Sequence, residues 1–383
     1  MELGPTTAAT GGPRVLHVIE SFGGGSANAM QEFVDAVPEC SHHLLRAHRE
    51  GEFHDEELSD RFQSVAALPD GTAARIRAVR RRIAEVRPDV VHAHSSLAGV
   101  YVRLAVRASA RTRIVYSPHC FAFLRRDLPP LTRVAIAAAE YALAANTTAI
   151  AACSRFERTL ASRMPGGRRA RFVPNTPRAV APAGAPARTA AVVSTGRLGP
   201  QKDPAAFADV VTALRAADPA ITAEWIGDGD PALKVRLEER GVTVSGWIPT
   251  AEVAERLAAA GVYVHTAAWE GFPLAVLEAV AAGVPVVARD IAAFQGMPRE
   301  WLFHDSAAAA GLIRAALQRP AENVGAWQRA LSGDTAEAQR AALLGLYEVG
   351  AAPRPSGRRR SVAGSPVSGP PSTAAPCGPS TAG

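Results

Sequence analysis

Residues 262–288 read VYVHTAAWEGFPLAVLEAVAAGVPVVA, and this stretch decides the fold. Val262 to Thr266 is a short apolar run suited to a buried strand, Pro273 to Ala282 reads as a helix, and VPVVA at 284–288 is a second buried strand. Proline favours the first helical position, where its missing N–H would be unpaired in any case. A helix opening under a loop presents free N–H groups and the positive end of its dipole, which suits a phosphate. Glu270 stands beside that anion site, and Glu278 lies inside the helix. Carboxylates only accept hydrogen bonds, so a pair placed this way suits a ligand with hydroxyls on both sides of its phosphates.

The same alternation runs outward. Upstream, VLHVI at 15–19, HLLRAH at 43–48, VVHAH at 90–94, IVYSPH at 114–119, AIAAC at 149–153 and RFVPN at 171–175 read as strands. Between two of them Ala73 to Val86 has helical spacing, with Ile76, Val79, Ile83 and Val86 on one face and arginines over much of the rest. Further strands are expected at 192–195, 221–227 and 242–247, and helices near 204–216, 231–240, 250–259 and 306–317. Asp203 before Pro204 is a sound helix start. Short apolar runs alternating with helices mark parallel α/β folds. The proline- and alanine-rich PRAVAPAGAPARTAA at 177–191 reads as a linker between two such domains.

The chain of 383 residues has room for two ordinary domains. With 48% hydrophobic and 20% charged residues it has a globular composition, and its net charge of +6 is modest. Part of that excess lies at Arg354, Arg358, Arg359 and Arg360, in a tail whose Gly, Pro, Ser, Ala and Arg predict disorder. Four cysteines without C-x-x-C spacing favour a reducing compartment. MELGPTTAATGGP does not read as a signal peptide, and IAAAEYALAA at 136–145, broken by Glu140, reads as a buried helix rather than a membrane span. A cytoplasmic location is expected, and the basic run at 75–87, lacking interleaved aromatics, reads as a solvated helix face rather than a nucleic-acid site.

Several loops carry chemistry-bearing residues. Arg197 and Lys202 flank GRLGPQKD, which leaves a strand and enters a helix; converging there, they would bind a diphosphate and stabilise charge as it departs. Gly24 and Gly25, in a run of three glycines after the first strand, form a phosphate-cradle signal without the full G-x-G-x-x-G fingerprint. His119 ends a strand at the edge where open parallel sheets place ligands, and His92 and His94 end another. Asp228 and Asp230 in IGDGDP flank a glycine and read as turn chemistry; no metal site is expected there or at the histidines.

Taken in order, these segments resemble glycosyltransferase family 4. The resemblance rests on Glu270, Gly271, Phe272, Pro273, Leu274, Leu277, Glu278, Ala279 and the GVPVV that follows, on STGRLGPQKDP at 194–204, on VPN at 173–175, and on VVHAHSSLAG and VYSPHCFAF at 90–99 and 115–123. It covers roughly Arg14 to Leu317. It departs from the family after the glycine pair, where many members carry a glutamate and this chain has Ser26, Ala27 and Asn28.

The resemblance implies a GT-B fold: two Rossmann-like domains facing a central cleft, with a C-terminal helix crossing back. The domains expected are 14–177 on the acceptor side and 191–332 on the donor side, joined by a linker at 178–190, with a returning helix at 333–350 and disordered ends at 1–13 and 351–383. It implies a retaining, metal-independent transfer of a sugar from a UDP- or GDP-sugar to an acceptor hydroxyl in bacterial glycan or glycolipid assembly. Glu270 and His119 would meet the sugar, Arg197 and Lys202 the diphosphate, and Glu278 the ribose. Gly271, Phe272, Pro273 and Leu274 would line the phosphate end, and Trp247 and Ile248 the base. No cofactor is implied beyond the donor itself. The acceptor would be a sugar or a lipid-linked glycan, and FAFLRRDLPPLTRV at 121–134 suggests peripheral contact with the anionic inner face of the cell membrane. Two alternatives share the fold: a nucleotide-sugar 2-epimerase, which needs no acceptor, and a non-catalytic glycan- or partner-binding scaffold.

Overall fold

A computed structural model of the chain describes residues 12–47, 61–165, 170–178 and 192–348. The expected linker beyond Arg178, the tail and most of the N-terminal segment lie outside these residues. The first sheet takes β1 (Arg14–Ile19), β2 (Ser41–Arg46), β3 (Ser64–Ala67), β4 (Val90–His94), β5 (Arg113–Ser117), β6 (Ala149–Ala152) and β7 (Ala170–Phe172) in the order β3-β2-β1-β4-β5-β6-β7. The second takes β8 (Val192–Thr195), β9 (Ala223–Ile226), β10 (Thr243–Val244), β11 (Val262–His265), β12 (Val286–Arg289) and β13 (Leu302–Phe303) in the order β10-β9-β8-β11-β12-β13. Neighbouring strands in both sheets pair parallel. β4 is buried along its whole length, as expected of a parallel strand covered on both faces by crossover helices.

In the first half those helices are α1 (Gly24–Ala36), α2 (Thr72–Val86), α3 (Ser96–Ala105), α4 (Pro130–Ala144) and α5 (Arg155–Ser162). In the second they are α6 (Pro204–Arg215), α7 (Pro231–Glu239), α8 (Thr250–Ala259), α9 (Leu274–Ala281), α10 (Ser306–Gln318) and α11 (Pro320–Ala330). The last helix, α12 (Ala336–Tyr347), buries Leu343, Leu346 and Tyr347 against Val15, Phe33 and Val90 of the first sheet's layer. Gln339 Nε2 donates to Pro174 O at 2.8 Å and Arg340 pairs with Glu39 at 2.7 Å, so α12 returns to the first half as expected. The molecule is thus a two-domain α/β fold with a parallel sheet in each half.

Four expectations need correction. The 136–145 helix is not buried: of α4 only Glu140 and Ala144 are, while Leu131 is 85% and Val134 66% exposed. The inward anchor is polar, since Glu140 takes hydrogen bonds from Arg103 at 2.8 Å and Tyr116 at 2.9 Å. Pro273 caps α9 in an extended conformation instead of occupying its first turn. β5 stops at Ser117, so His119 belongs to the following loop. β2 runs from Ser41 to Arg46, two residues earlier than read at both ends.

Candidate active site

Strand order determines where a ligand can lie. In an open parallel sheet the crevice sits beyond the carboxyl ends of the strands, where the order reverses. The first sheet reverses between β1 and β4, and the second between β8 and β11. Residues 20–25, 95–96, 196–203 and 266–273 leave those four strands, and they contain most of the residues singled out from the sequence.

The basic loop is fastened to the Glu270 loop. Gly196 has φ +132°, and a Cβ there would lie 2.8 Å from Lys202 Cε, so a glycine lets the lysine fold back across its own loop. Lys202 Nζ reaches Glu270 Oε1 at 2.6 Å, and Gln201 Nε2 donates to Glu270 Oε2 at 3.2 Å. Ala268 N donates to Gln201 O at 2.8 Å, and Thr266 Oγ1 to Lys202 O at 2.9 Å. Beneath them, buried His265 shares a 3.1 Å hydrogen bond with Tyr263 through Nδ1, while its Nε2 has no hydrogen-bond partner and lies 4.0 Å from Glu270 Oε1. Burial, with Lys202 and Arg289 nearby, holds the His265 pKa well below its usual value.

Arg197 lies on the Trp247 side of the loop. Its guanidinium lies 5.9 Å from the ring centroid of Trp247, within cation–π range. Trp247 is 42% exposed and therefore not a core residue, whereas Ile248 packs partly buried against the core. Arg197, Asp228, Gly229, Lys234 and Trp247 line a pocket of about 540 Å³. Asp230 caps α7 by accepting from Ala232 N at 2.8 Å, and Asp228 accepts from Gly229 N at 2.9 Å. Both acids therefore do turn and cap work.

At the start of α9 the side chains of Phe272 and Leu274 go into the core, and no side chain caps the helix. Glu278 is partly buried; burial raises its pKa, against the pull of Arg178 and Lys202. Arg178 pairs with Glu32 at 3.3 Å and donates to Gln31 at 2.9 Å, linking α1 to this corner. Burial lifts Glu32 to about 7.

Loops from the first sheet meet this corner directly. A Cβ on Gly271 would fall 2.7 Å from the His119 carbonyl carbon and 2.8 Å from Cys153 Sγ. Asn175 Nδ2, after β7, donates to Phe272 O at 2.9 Å. His119 and Cys120 have φ of +52° and +117°, a sparsely populated region for such residues. Buried Glu157 holds the turn, accepting from Cys120 N at 3.0 Å and Cys153 N at 2.8 Å. Gly24 has φ +67°, and Cβ atoms on Gly24 or Gly25 would meet nothing within 4 Å. Both glycines are exposed.

The histidines come together in a way the sequence did not suggest. His17, His92 and His94 bring ring nitrogens within 4.8 Å of one another. Every one of those nitrogens is already hydrogen-bonded: His92 to Tyr347 and Ser117, His17 to His42 and His94, and His94 to His17 and His119.

Known proteins match both halves of this architecture. Residues 24–176 match the family described as glycosyl transferase 4-like domain, and residues 189–319 match glycosyl transferases group 1. The chain belongs to this glycosyltransferase family. A 41.2 kDa protein of the Klebsiella pneumoniae cps region is 23% identical over 73% of this chain and 81% of its own length. The Bacillus subtilis protein TuaC, named for teichuronic acid biosynthesis, is 34% identical over 26% of this chain and 24% of its own. Among solved structures, Anabaena HepE in complex with UDP and glucose superposes with a TM-score of 0.63 at 18% identity, covering 88% of this chain and 96% of that one. S. aureus TarM, solved with UDP and glycan ligands, gives 0.71 at 10% identity, covering 88% and 100%. At these identities the structures establish the GT-B fold.

For a glycosyltransferase of this type the residues divide into two groups. Lys202 pairs with Glu270, Gly271 meets the His119 loop and Glu278 lies within electrostatic reach of Lys202, while Arg197 and Trp247 form a second group. Sequence reading missed Arg178, His265, Glu157 and His17, and saw Asn175 only as the end of the VPN segment. For His17 a signal existed, since a histidine inside an apolar strand must find partners. Arg178 stands in a stretch without periodicity, where no pattern marks it.

Proposed function

We propose that this enzyme is a retaining, metal-independent glycosyltransferase that moves a sugar from a nucleoside-diphosphate sugar to an acceptor hydroxyl in bacterial glycan or glycolipid assembly. The observation carrying this reading is the junction of Lys202, Glu270 and the α9 N-terminus, set against the His119 loop through Gly271. Lys202, Arg197 and the free N–H groups of α9 hold the leaving diphosphate. Glu270 takes hydroxyls of the transferred sugar, with His119 opposite, and Glu278 takes the ribose. Trp247 and Ile248 border the base. The departing phosphate removes the acceptor proton, so no protein carboxylate need serve as nucleophile. Gly24 and Gly25 open toward the acceptor side.

UDP is the favoured nucleotide, because HepE was solved with UDP and with UDP-glucose. The acceptor is lipid-linked in this reading, which the exposed Leu131 and Val134 of α4 support. No helix among the described residues is long and apolar enough to cross a membrane, so contact would be peripheral. Calorimetry with UDP and GDP, followed by slow hydrolysis assays with their sugars, tests the proposal. Binding of one nucleotide and hydrolysis of its sugar are expected; failure to bind either would reject it.

A further inference from the structure

Four histidines stand in one hydrogen-bonded row. His42 Nδ1 is 2.9 Å from His17 Nε2, His17 Nδ1 is 3.0 Å from His94 Nε2, and His94 Nδ1 is 3.0 Å from His119 Nε2. The inner end of the row is a carbonyl, Val37 O, 3.1 Å from His42 Nε2. A carbonyl only accepts, so His42 carries its proton on Nε2. A neutral imidazole has one donor and one acceptor nitrogen. His42 Nδ1 must therefore accept, which obliges His17 Nε2 to donate. The same step repeats at His94 and then at His119, whose Nε2 donates inward and whose Nδ1 is left bare.

The surroundings keep the row neutral. His17 and His94 are fully buried, and burial together with neighbouring imidazoles pushes both pKa values well down. Burial takes His119 to about 4. Burial also lowers His42, and its bond to Val37 O with Asp35 and Glu39 nearby offsets this only in part. A proton added at His119 Nδ1 would not reverse the direction, because Nε2 would still donate inward.

We propose that His42, His17 and His94 are positioning residues that lock His119 in its Nε2–H tautomer and so present an acceptor, not a donor, to a substrate hydroxyl in the cleft. This rests on the reading of His119 as a residue that faces the sugar. The partner hydroxyl must then give its hydrogen to His119, so a sugar carrying fluorine at that position loses the contact. A metal held by His17, His92 and His94 is the rival arrangement, and it would break the His17–His94 bond.

The decisive measurement is long-range ¹H–¹⁵N NMR on the full chain labelled at histidine, assigned through single His→Gln variants. His17, His42, His94 and His119 should all show a protonated Nε2 and a bare Nδ1 between pH 7 and 8. Any one of them in the Nδ1–H form, or a stoichiometric shift of His17, His92 and His94 on adding zinc, overturns the proposal. This readout needs no turnover, so it stands or falls separately from the transferase reading. The kinetic arm uses His42→Leu and His42→Asn, assayed with the sugar nucleotide that the hydrolysis screen identifies. Asparagine Oδ1 replaces the Nδ1 acceptor and keeps the direction of the row; leucine does not. His42→Leu should lower kcat roughly tenfold, the order of one misdirected hydrogen bond, and His42→Asn should restore most of it, with affinity for the free nucleotide unchanged in both. Equal kcat in the two folded variants would show that the lock does not reach the chemistry. If His42→Leu does not fold, the NMR result on the parent chain decides.

Discussion

Lys202 Nζ lies 2.6 Å from Glu270 Oε1, with the two side chains only 22% and 10% exposed. In the proposed mechanism, one of these groups holds phosphate and the other sugar hydroxyls. The two groups satisfy each other, so in that mechanism a diphosphate would compete with Glu270 for the lysine and leave the carboxylate to the sugar. Removing one partner of a sheltered pair strands the other's charge, so Lys202→Ala changes Glu270 as well. Losing one positioned electrostatic stabiliser costs roughly 10²–10³ in turnover. Lys202→Ala and Arg197→Ala should each fall by that order in a transfer assay, with the melting temperature little changed for Arg197→Ala. Parental turnover in either variant would reject the diphosphate clamp.

The two glutamates should separate by ligand. Glu278→Ala is expected to weaken binding of free UDP, because its partner is the ribose. Glu270→Ala should leave UDP affinity nearly intact and impair transfer, because its partner is the sugar. Calorimetry on both variants checks this, and equal losses of UDP affinity would contradict the assignment.

Much of the fold was legible because parallel strands buried on both faces read as apolar runs. VVHAH at 90–94 and VVST at 192–195 match β4 and β8 residue for residue. β3, with the alternating burial of SVAA, and two-residue β13 gave no such run and were missed. α4 misled because alanine-rich apolar sequence looks buried, and only the structure reveals that its inward anchor is the Glu140–Arg103 pair. Within the site, motif residues were visible while their supports were not. Asn175 meets Phe272 across 97 positions of sequence, and no local pattern encodes such a contact.

Gly271 should tolerate no side chain. An added Cβ would lie 2.7 Å from the His119 carbonyl carbon and 2.8 Å from its oxygen, and these are backbone atoms that cannot swing aside. Gly271→Ala is therefore expected to push the His119 loop away from Glu270. Overpacking of this kind typically costs about 1–3 kcal/mol. A lower melting temperature together with a larger loss of transfer than of UDP binding is the expected pattern. An alanine variant with parental stability and turnover would mean that the two loops separate in solution.

Stability should depend on pH in two opposed windows. Buried His17 and His94 have pKa values well below 6.5, and half-buried His119 is near 4. Below pH 6.5 the unfolded chain gains protons that the folded chain does not, so stability is lost as pH falls toward 4. Glu32 acts the other way, since its folded value of about 7 exceeds its usual 4.5. Between those values the folded state binds the extra proton, and stability falls as pH rises. Melting temperatures of the parent and Glu32→Gln should diverge progressively from pH 4.5 to 7, with the parent losing ground. Parallel curves would show that Glu32 titrates normally.

The surface of α4 offers the membrane test. Leu131 and Val134 stand 85% and 66% exposed, and Arg126 is exposed just before them. The other two arginines of the segment are engaged: Arg125 pairs with Asp127 at 2.6 Å, and Arg133 Nε donates to Phe123 O at 3.1 Å. Binding here should therefore depend more on the apolar pair than on charge. Leu131→Ser with Val134→Ser should abolish co-sedimentation with vesicles containing anionic lipid, while Arg126→Glu should weaken it and flatten its salt dependence. Raising salt should release only part of the bound protein, because charge is screened over about 8–10 Å and apolar burial is not. Arg358, Arg359 and Arg360 of the tail could bind such vesicles alone, so the comparison belongs on a chain ending at Gly350. If that shortened chain ignores anionic vesicles at low salt, α4 does not dock on lipid, and the acceptor is better sought among soluble sugars.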